Sequence, residues 1–138
     1  KEHIICGYHT LINWDNTSDE KVMEIAKEIS SIGPRKVIIT GVIRNNKIFN
    51  FAYDKKEDKF FKVESYFNNE SYSGTGDIFT SIIIGLLLNG HDLNYAIKNA
   101  TKFIYKSIEF TSRFNSSPKE GIMFELFLKE LILINEHK

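Results

Sequence analysis

The stretch Ser73-Gly74-Thr75-Gly76-Asp77 marks the point where the pattern of the chain changes. Before it, apolar residues form short β-branched runs or alternate along the chain, which is typical of strands. After it, residues 78–88 are apolar almost all round, which indicates a helix buried on most of its faces. The two glycines allow positive φ angles and leave no Cβ in the way of a ligand. The start of a helix also offers unpaired N–H groups and a positive dipole end, so an anion is favoured here.

Asp77 adds a carboxylate to this loop. A carboxylate repels a bound phosphate, so its presence suggests a proton acceptor more than an anion ligand. The alternative is a plain turn in which Asp77 caps the helix, because short glycine motifs are common by chance. The segment is not a Walker A loop, since no Gly-Lys-Ser/Thr follows, and it lacks the third glycine of a dinucleotide fingerprint.

The region upstream of the loop predicts half of a βαβ unit and a hairpin. Residues 17–20 supply helix-capping and acidic residues, and Gly33-Pro34 ends the helix. Val37-Ile38-Ile39-Thr40 is a β-branched run that predicts a buried, parallel strand. A turn at Asn45-Asn46 then leads into two alternating segments separated by the polar residues 54–58. The helix face that we expect in the core consists of Val22, Ile25, Ala26, Ile29 and Ile32.

Two further helices are predicted downstream of residue 88. Asn89-Gly90 ends the first helix, and Asp92 can cap the second. A third is expected to begin near Pro118. The core positions are Leu93, Ala96, Ile97, Ala100, Ile104 and Ile108 in the second helix, and Ile122, Leu126, Leu128, Leu131 and Ile132 in the third. We expect residues 1–138 to form one α/β unit.

Composition narrows the classes of function. The chain has 138 residues, of which 42% are apolar, and its 18 basic residues balance 18 acidic ones. This neutrality argues against a nucleic-acid partner. One cysteine, Cys6, excludes an internal disulfide and favours a reducing compartment, for which the cytoplasm is the expectation. No apolar run reaches the roughly 18 residues that span a bilayer, and no signal peptide is visible, so no membrane association is expected.

Single residues outside the loop carry weaker signals. The four histidines, His3, His9, His91 and His137, have no metal-ligand spacing, and we predict no metal ligands from the chain. His91 is expected in the turn between two helices. Trp14 is expected in the core or in a subunit contact.

The order of these elements resembles the C-terminal half of the ribokinase-like superfamily, and within it the pyridoxal kinase and hydroxymethylpyrimidine kinase branch. Three segments carry the resemblance: residues 32–41 (IGPRKVIITG), 72–79 (YSGTGDIF) and 119–125 (KEGIMFE). The similarity runs from about Ser18 to the C-terminus, and Gly-Thr-Gly-Asp is its specific part. It implies the C-terminal portion of a three-layer α/β/α fold, in which a parallel strand and an antiparallel hairpin precede three helices.

The resemblance also implies roles for residues at matching positions. Asp77 would be the general base that takes the proton of the substrate hydroxyl. The backbone N–H groups of Gly74, Thr75 and Gly76 would form an anion hole for the transferred phosphoryl group. The positions expected to contact the nucleotide are Thr40 and Gly41 at the end of the parallel strand, the same three loop residues, and Ile108 against adenine.

The function implied is ATP-dependent phosphorylation of the 5′-hydroxyl of pyridoxal, pyridoxine or pyridoxamine, in vitamin B6 salvage. The alternatives are a hydroxymethylpyrimidine or sugar kinase of the same superfamily, or a non-catalytic nucleotide-binding or oligomerisation domain. Members of this family use ATP with Mg²⁺, often with a monovalent cation such as K⁺. The full-length protein is expected to be a homodimer.

The resemblance is incomplete at the start of the chain. An Asn-x-x-Glu motif organises the metal in the family, and here Asn13-Trp14-Asp15-Asn16 and Asn16-Thr17-Ser18-Asp19 both lack the final glutamate. Full-length members are about twice as long, and their N-terminal half carries most of the substrate pocket. We therefore expect a fragment of a longer kinase, with little turnover by these 138 residues alone.

Overall fold

The computed structural model describes residues 17–137 together with the main chain of residues 4–6. The predictions for His3, His9, Trp14 and the side chain of Cys6 lie outside the described residues. The chain divides into two compact units, Lys1–Phe67 and Asn68–Lys138.

The first unit contains a four-stranded sheet in the order β1-β2-β3-β4. β1 (Ile4–Cys6) pairs in parallel with β2 (Lys36–Arg44), and β2 pairs antiparallel with β3 (Lys47–Asp54). β4 (Lys59–Tyr66) completes the sheet, antiparallel to β3. The predicted parallel strand and antiparallel hairpin are therefore confirmed.

The turn between β2 and β3 consists of Asn45 and Asn46, as the sequence predicts. Their φ angles are 50° and 59°. Two consecutive positive φ angles are the mark of a type I′ hairpin turn, and asparagine tolerates them better than most residues. This turn fixes the register that places Phe49 and Phe51 in the core.

One helix, α1 (Asp19–Ser31), packs on this sheet. The Ser18 hydroxyl caps it by accepting a hydrogen bond from Lys21 N–H at 3.2 Å. Val22 and Ala26 are buried in the core that α1 shares with β2 and β3. The prediction for Ile32 is wrong, because its side chain is 80% exposed. The reason is that α1 has ended by then, and Ile32 is its C-terminal cap residue.

Asp19, in the first turn of α1, forms ion pairs with two cations from the sheet. Its carboxylate contacts Arg44 Nη1 at 2.5 Å and Lys62 Nζ at 2.7 Å. Partial burial raises the pKa of Asp19, but hydrogen bonds and charge from Lys62 and Arg44 lower that pKa by more, so the net shift is downward. The helix start and the sheet are thus linked by charge as well as by apolar contact.

The second unit is helical and begins with the pair α2 (Thr75–Leu88) and α3 (Leu93–Thr111). Asp92 caps α3, as predicted, by accepting a hydrogen bond from Tyr95 N–H at 2.7 Å. The buried residues of α3 follow the predicted face at Leu93, Ala96, Ile97, Ala100 and Ile104, while Ile108 is half-buried.

The prediction that α2 is buried on most faces is wrong for the part of the chain that the structure describes. Ile82 and Ile83 lie in a buried strip, but Ile84 is 38% and Leu88 is 82% exposed. α2 is so apolar all round that its contact with α3 covers only part of its apolar surface.

The predicted third helix is also wrong in its start and in its core face. Pro118–Glu120 forms one 3₁₀ turn, a second 3₁₀ turn follows at Glu125–Phe127, and the helix α4 spans Leu128–Glu136. The φ angle of Gly121 is 86°, which no right-handed helix can accommodate, so the first turn stops there. Ile122 is buried as expected, but Leu126, Leu128 and Ile132 are exposed.

His91 lies in the turn between α2 and α3, as predicted, and it also contacts α4. Its Nε2 lies 2.9 Å from Asn135 C=O, and the Tyr95 hydroxyl donates to Ile134 C=O at 2.8 Å. These side chains bind carbonyl groups at the C-terminal end of α4, which receive no hydrogen bond from within the helix. In residues 17–137, no helix combines the length and apolar character that crossing a membrane requires.

Candidate active site

Gly74 sets the geometry of the loop that the sequence singles out. It is the N-cap residue of α2, with φ 76° and ψ −4°, which is the left-handed region. Residues with a Cβ pay about 1–2 kcal/mol in this region, whereas glycine enters it freely. The first hydrogen bond of the helix then runs from Ile78 N–H to Gly74 C=O at 3.1 Å. Gly74 therefore turns the chain into α2.

The N–H groups of Thr75, Gly76 and Asp77 precede that first bond. No acceptor for them is found among the described residues, as expected for the first turn of a helix. The Thr75 side chain does not cap them, because its hydroxyl donates to Tyr72 C=O at 2.9 Å. Three backbone donors thus remain at the positive end of α2, where they can bind an anion.

Gly76 has no steric role in the described part of the chain. Its φ is not positive, and a Cβ built on it meets no atom within 4 Å. Glycine inside a helix costs about 0.5–1 kcal/mol relative to alanine. Neither its conformation nor its packing explains the residue, whereas the close approach of a ligand to the backbone would.

Asp77 is the third residue of α2, and its side chain is exposed. It does not cap the helix: the N-cap is Gly74, and no side chain makes a capping hydrogen bond there. Its own C=O accepts a hydrogen bond from Ser81 Oγ at 2.8 Å, and no hydrogen bond of its carboxylate is found among the described residues. The alternative of an aspartate cap is therefore wrong.

An open cavity of about 630 Å³ lies along α2 and is lined on the other side by α4 and Phe124. Asp77 and Ser81 line it near the start of α2, and Asn89 lines it about 18 Å further along the helix axis. Its wall between these points is mostly apolar, with Ile82 and Leu131 among its residues. The cavity itself offers few partners to a phosphate, so anion binding depends on the loop.

Thr40 and Gly41 lie in the first unit, inside β2 and not at its end as predicted. Beyond them the strand continues to Arg44, because Val42 resumes the pairing with β3 opposite Phe49. The two residues face the single residue Asn50 in a β-bulge, and Gly41 has φ 73°. The bulge explains the glycine, and it interrupts the regular pairing at the two predicted nucleotide contacts.

Asn50 is the residue that sequence analysis missed. Its side chain is 6% exposed, and its Oδ1 accepts the hydrogen bond from Gly41 N–H at 3.2 Å. A polar residue between the aromatic Phe49 and Phe51 was the available signal, because a buried amide in a strand needs hydrogen-bond partners. Asn50 therefore fixes the shape of the bulge.

The remaining expectations for the site concern adenine and the metal. Ile108 is half-buried on α3, and its contact with adenine stays a prediction. The described residues contain no group of three or more His, Cys, Asp or Glu side chains that could hold a metal ion. These described residues do not fit a complete Mg²⁺ site by themselves.

Comparison with known proteins places this geometry in a family. Residues 6–122 match the phosphomethylpyrimidine kinase family, and the match includes the whole stretch from Gly74 to Asp77. The chain belongs to this family. The predicted resemblance to the pyridoxal and hydroxymethylpyrimidine kinase branch is therefore confirmed, and its first helix, parallel strand, hairpin and glycine loop occur in the expected order.

Three relatives show the extent of the similarity. The hydroxymethylpyrimidine/phosphomethylpyrimidine kinase of Aquifex aeolicus is 33% identical over 107 residues, which cover 77% of this chain and 39% of the relative. A Bacteroides thetaiotaomicron protein assigned as a phosphomethylpyrimidine kinase has a TM-score of 0.82 and 36% identity, covering 86% of this chain and 41% of that protein. The same protein was also crystallised with pyridoxal.

The third relative is the pyridoxal kinase of Staphylococcus aureus, solved in complex with AMP-PCP and pyridoxal. It has a TM-score of 0.59 and 26% identity, over 67% of this chain and 35% of that protein. The chain thus spans between about a third and two fifths of the length of these relatives. The fold is that of the ribokinase-like kinases, represented by the part that these residues match.

Proposed function

We propose that this chain supplies the general base and the anion hole of an ATP-dependent kinase that phosphorylates the hydroxymethyl group of a pyridoxal-type ring. The observation that carries the proposal is the start of α2. Gly74 in the left-handed region directs three unpaired N–H groups into one turn, and the exposed Asp77 carboxylate belongs to the same turn. The family match covers this turn completely.

The proposed chemistry uses each of these groups once. The Asp77 carboxylate accepts the proton of the substrate hydroxyl while the hydroxyl oxygen attacks the γ-phosphorus of ATP. The bond between the γ-phosphorus and the bridging oxygen breaks, and ADP leaves with the electron pair. The N–H groups of Thr75 and Gly76 donate hydrogen bonds to the oxygens of the phosphoryl group in the transition state, and these bonds stabilise its negative charge. Products are the 5′-phosphate ester, ADP and a proton.

The choice of pyridoxal as acceptor rests on the relatives. The Bacteroides protein, 35% identical in its pyridoxal form, was crystallised with that vitamer, and the Staphylococcus kinase was solved with pyridoxal and AMP-PCP. A second candidate acceptor is hydroxymethylpyrimidine, because the Aquifex relative carries that activity in its name. Both acceptors present a primary alcohol on an aromatic nitrogen ring, so the same base and anion hole would serve either.

The wider proposal follows from this family placement. ATP would be the phosphoryl donor, which the AMP-PCP complex of the Staphylococcus relative supports. Mg²⁺ and a monovalent cation such as K⁺, a homodimeric assembly, a role in vitamin B6 salvage and a cytoplasmic location belong to the same proposal.

The variant Asp77→Asn tests the role of the base. We expect kcat to fall by about 100-fold or more, because general base catalysis contributes about 10²–10⁴-fold. The affinity for ATP should not fall, since the amide keeps the size of the side chain and removes a charge that repels phosphate. The assay is coupled ADP release by the complete polypeptide that contains these residues, with ATP binding measured by calorimetry.

Glu70→Gln is the matched control for this experiment. Glu70 is exposed and lies seven residues before Asp77, so the control removes a nearby carboxylate without touching the helix start. Its kcat should stay within twofold of the parent value. Undiminished turnover by Asp77→Asn would remove Asp77 from the base role.

A panel of acceptors separates the two candidate substrates. The panel contains pyridoxal, pyridoxine, hydroxymethylpyrimidine and ribose, each at saturating ATP. A kcat/KM for hydroxymethylpyrimidine that exceeds the value for pyridoxal would transfer the assignment to the second candidate. ATP binding without turnover on any acceptor would instead favour a nucleotide-binding domain without catalysis.

A further inference from the structure

Ser73, which immediately precedes the glycine loop, is held by a segment that is 45 residues away in the sequence. Its N–H donates to Pro118 C=O at 3.1 Å. Its C=O faces Gly121, where a Cβ would lie 2.9 Å from the Ser73 oxygen. Real Cβ atoms essentially never come this close to a backbone oxygen. The segment 118–121 therefore contacts both backbone polar groups of Ser73, and Gly121 does so at a distance that only glycine permits.

Gly121 also has a backbone conformation that other residues avoid. Its φ is 86° and its ψ is −168°, which lie in a region populated almost only by glycine. Its N–H donates to Pro118 C=O at 3.2 Å and closes the 3₁₀ turn. Pro118 C=O therefore accepts two hydrogen bonds, one from Gly121 and one from Ser73. We call Ser73, Pro118 and Gly121 the Ser73 clamp.

The clamp is anchored to α3 through Thr111. The side chain of Thr111 is buried, and its Oγ1 accepts the hydrogen bond from Met123 N–H at 2.7 Å. The same hydroxyl donates to Ser107 C=O at 2.7 Å, so the position of its lone pairs is fixed. Ile122, between Gly121 and Met123, is buried. The segment that holds Ser73 is thus attached to the interior of the second unit and is not a loose surface loop.

We infer that Gly121 is a positioning residue for the anion hole, an inference that rests on the proposed function of the loop. Ser73 C=O and Gly74 N–H belong to one planar peptide unit, so fixing Ser73 fixes the direction in which the chain enters Gly74. The N–H groups of Thr75 and Gly76 follow within one turn. A displacement of about 1 Å at donors of this kind costs on the order of 100-fold in rate.

Gly121→Ala is the direct test, and Gly90→Ala is its matched control. Both glycines lie in the second unit with nearly equal φ angles, 86° and 90°, but a Cβ on Gly90 meets nothing within 4 Å. Both variants therefore strain the backbone at the substituted residue, whereas only Gly121→Ala pushes against Ser73. A faster exchange of the loop amides in Gly121→Ala than in Gly90→Ala is therefore the effect expected from the contact with Ser73.

The first measurement is amide hydrogen exchange in the 138-residue chain. Ile78 N–H reports on the loop, because its hydrogen bond ends on Gly74 C=O. Its exchange should accelerate at least tenfold in Gly121→Ala relative to Gly90→Ala, while amides in the middle of α3 exchange alike in the two variants. This measurement needs no catalysis, so it tests the clamp even if the proposed kinase function is wrong.

The second measurement is turnover by the complete polypeptide. Gly121→Ala should lower kcat about 10- to 100-fold and keep the KM for the acceptor within threefold of the parent value. The reason is that the anion hole stabilises the phosphoryl group in the transition state and does not contact the acceptor in the ground state. Gly90→Ala should keep kcat within threefold. If Asp77→Asn proves fully active while Ile78 exchange still responds to Gly121→Ala, the proposed function fails and the clamp stands.

Thr111 provides an independent test should Gly121→Ala not fold. Thr111→Ser keeps the hydroxyl that accepts from Met123 N–H, and Thr111→Val removes it at nearly constant volume. Faster Ile78 exchange and lower kcat in Thr111→Val, both restored in Thr111→Ser, are the expected results. Ile78 exchange that is the same in Gly121→Ala and Gly90→Ala, or the same in the two Thr111 variants, would overturn the inference.

Discussion

Gly76→Ala is expected to stabilise the fold and to impair the site at the same time. Gly76 is the second residue of α2, its φ is not positive, and the space around its Cα is open to 4 Å. An alanine methyl group therefore fits the described structure without strain. Alanine is favoured over glycine in a helix by about 0.5–1 kcal/mol. In the first turn, where fewer hydrogen bonds are formed, we expect a gain of about 0.5 kcal/mol in the free energy of unfolding.

The opposite effect is expected on catalysis. Donors of an anion hole lie about 2.7–3.1 Å from the oxygen that they stabilise. A methyl group in the same turn occupies space that the phosphoryl oxygens would need. Loss of one such donor typically lowers kcat by about 10²–10³-fold. We therefore expect Gly76→Ala to lose about 100-fold in kcat although its fold is more stable.

Gly74→Ala is the contrasting variant, because it should lose both properties. Its φ of 76° costs a residue with a Cβ about 1–2 kcal/mol, although that Cβ would meet nothing within 4 Å. Urea unfolding followed by far-UV circular dichroism measures stability in the 138-residue chain, and coupled ADP release measures kcat in the complete polypeptide. A Gly76→Ala variant that is less stable than the parent, or that is more stable but keeps kcat within threefold, would refute the reasoning.

Two further predictions concern the first unit. Asn50→Leu removes the acceptor of Gly41 N–H and should lower the free energy of unfolding by about 1 kcal/mol, measured by urea unfolding. An unchanged unfolding midpoint would show that the bulge is stable without this hydrogen bond. The second concerns Asp19, whose pKa in the folded chain lies below its ordinary 3.8 despite partial burial, because Lys62 and Arg44 favour its charged form. A lowered folded pKa contributes stability that is present above the unfolded pKa and is lost as pH falls through the folded pKa. For this partly exposed group the contribution is below about 1 kcal/mol. Asp19→Asn should show a smaller drop in the free energy of unfolding between pH 5 and pH 3 than the parent chain. An equal drop would contradict the conclusion that Lys62 and Arg44 lower the pKa of Asp19.

The features that the sequence predicts well are those decided by neighbouring residues. The predicted capping segment 17–20 supplies the cap Ser18, and Asp92 caps α3 as predicted, because a cap is a hydrogen bond to an N–H three residues away. Asn45-Asn46 forms the predicted turn, because two residues with positive φ determine it. Gly74 takes the left-handed conformation for the same local reason.

The features that it misses depend on contacts between distant residues. The bulge at Gly41 is hydrogen-bonded to Asn50, nine residues away, and the helix pattern after Pro118 hides the fact that Gly121 turns away to meet Ser73. In both cases a glycine is visible in the sequence, but its partner is not. Periodicity also cannot show that Ile32 follows the end of α1, since its spacing fits the helix equally well.

The hydrogen bond of the Gly41 N–H group distinguishes the predicted phosphate contacts in β2 from those at the start of α2. That N–H already donates to Asn50, so it is not a ready donor for a phosphate oxygen. A contact of Gly41 with a nucleotide would then use its bare Cα, which allows close approach without adding charge stabilisation. At the start of α2, by contrast, the N–H groups of Thr75 and Gly76 have no acceptor among the described residues. Because stabilisation of a developing negative charge requires uncommitted donors, catalysis should depend on the loop at α2, and the bulge in β2 should affect nucleotide binding more than turnover.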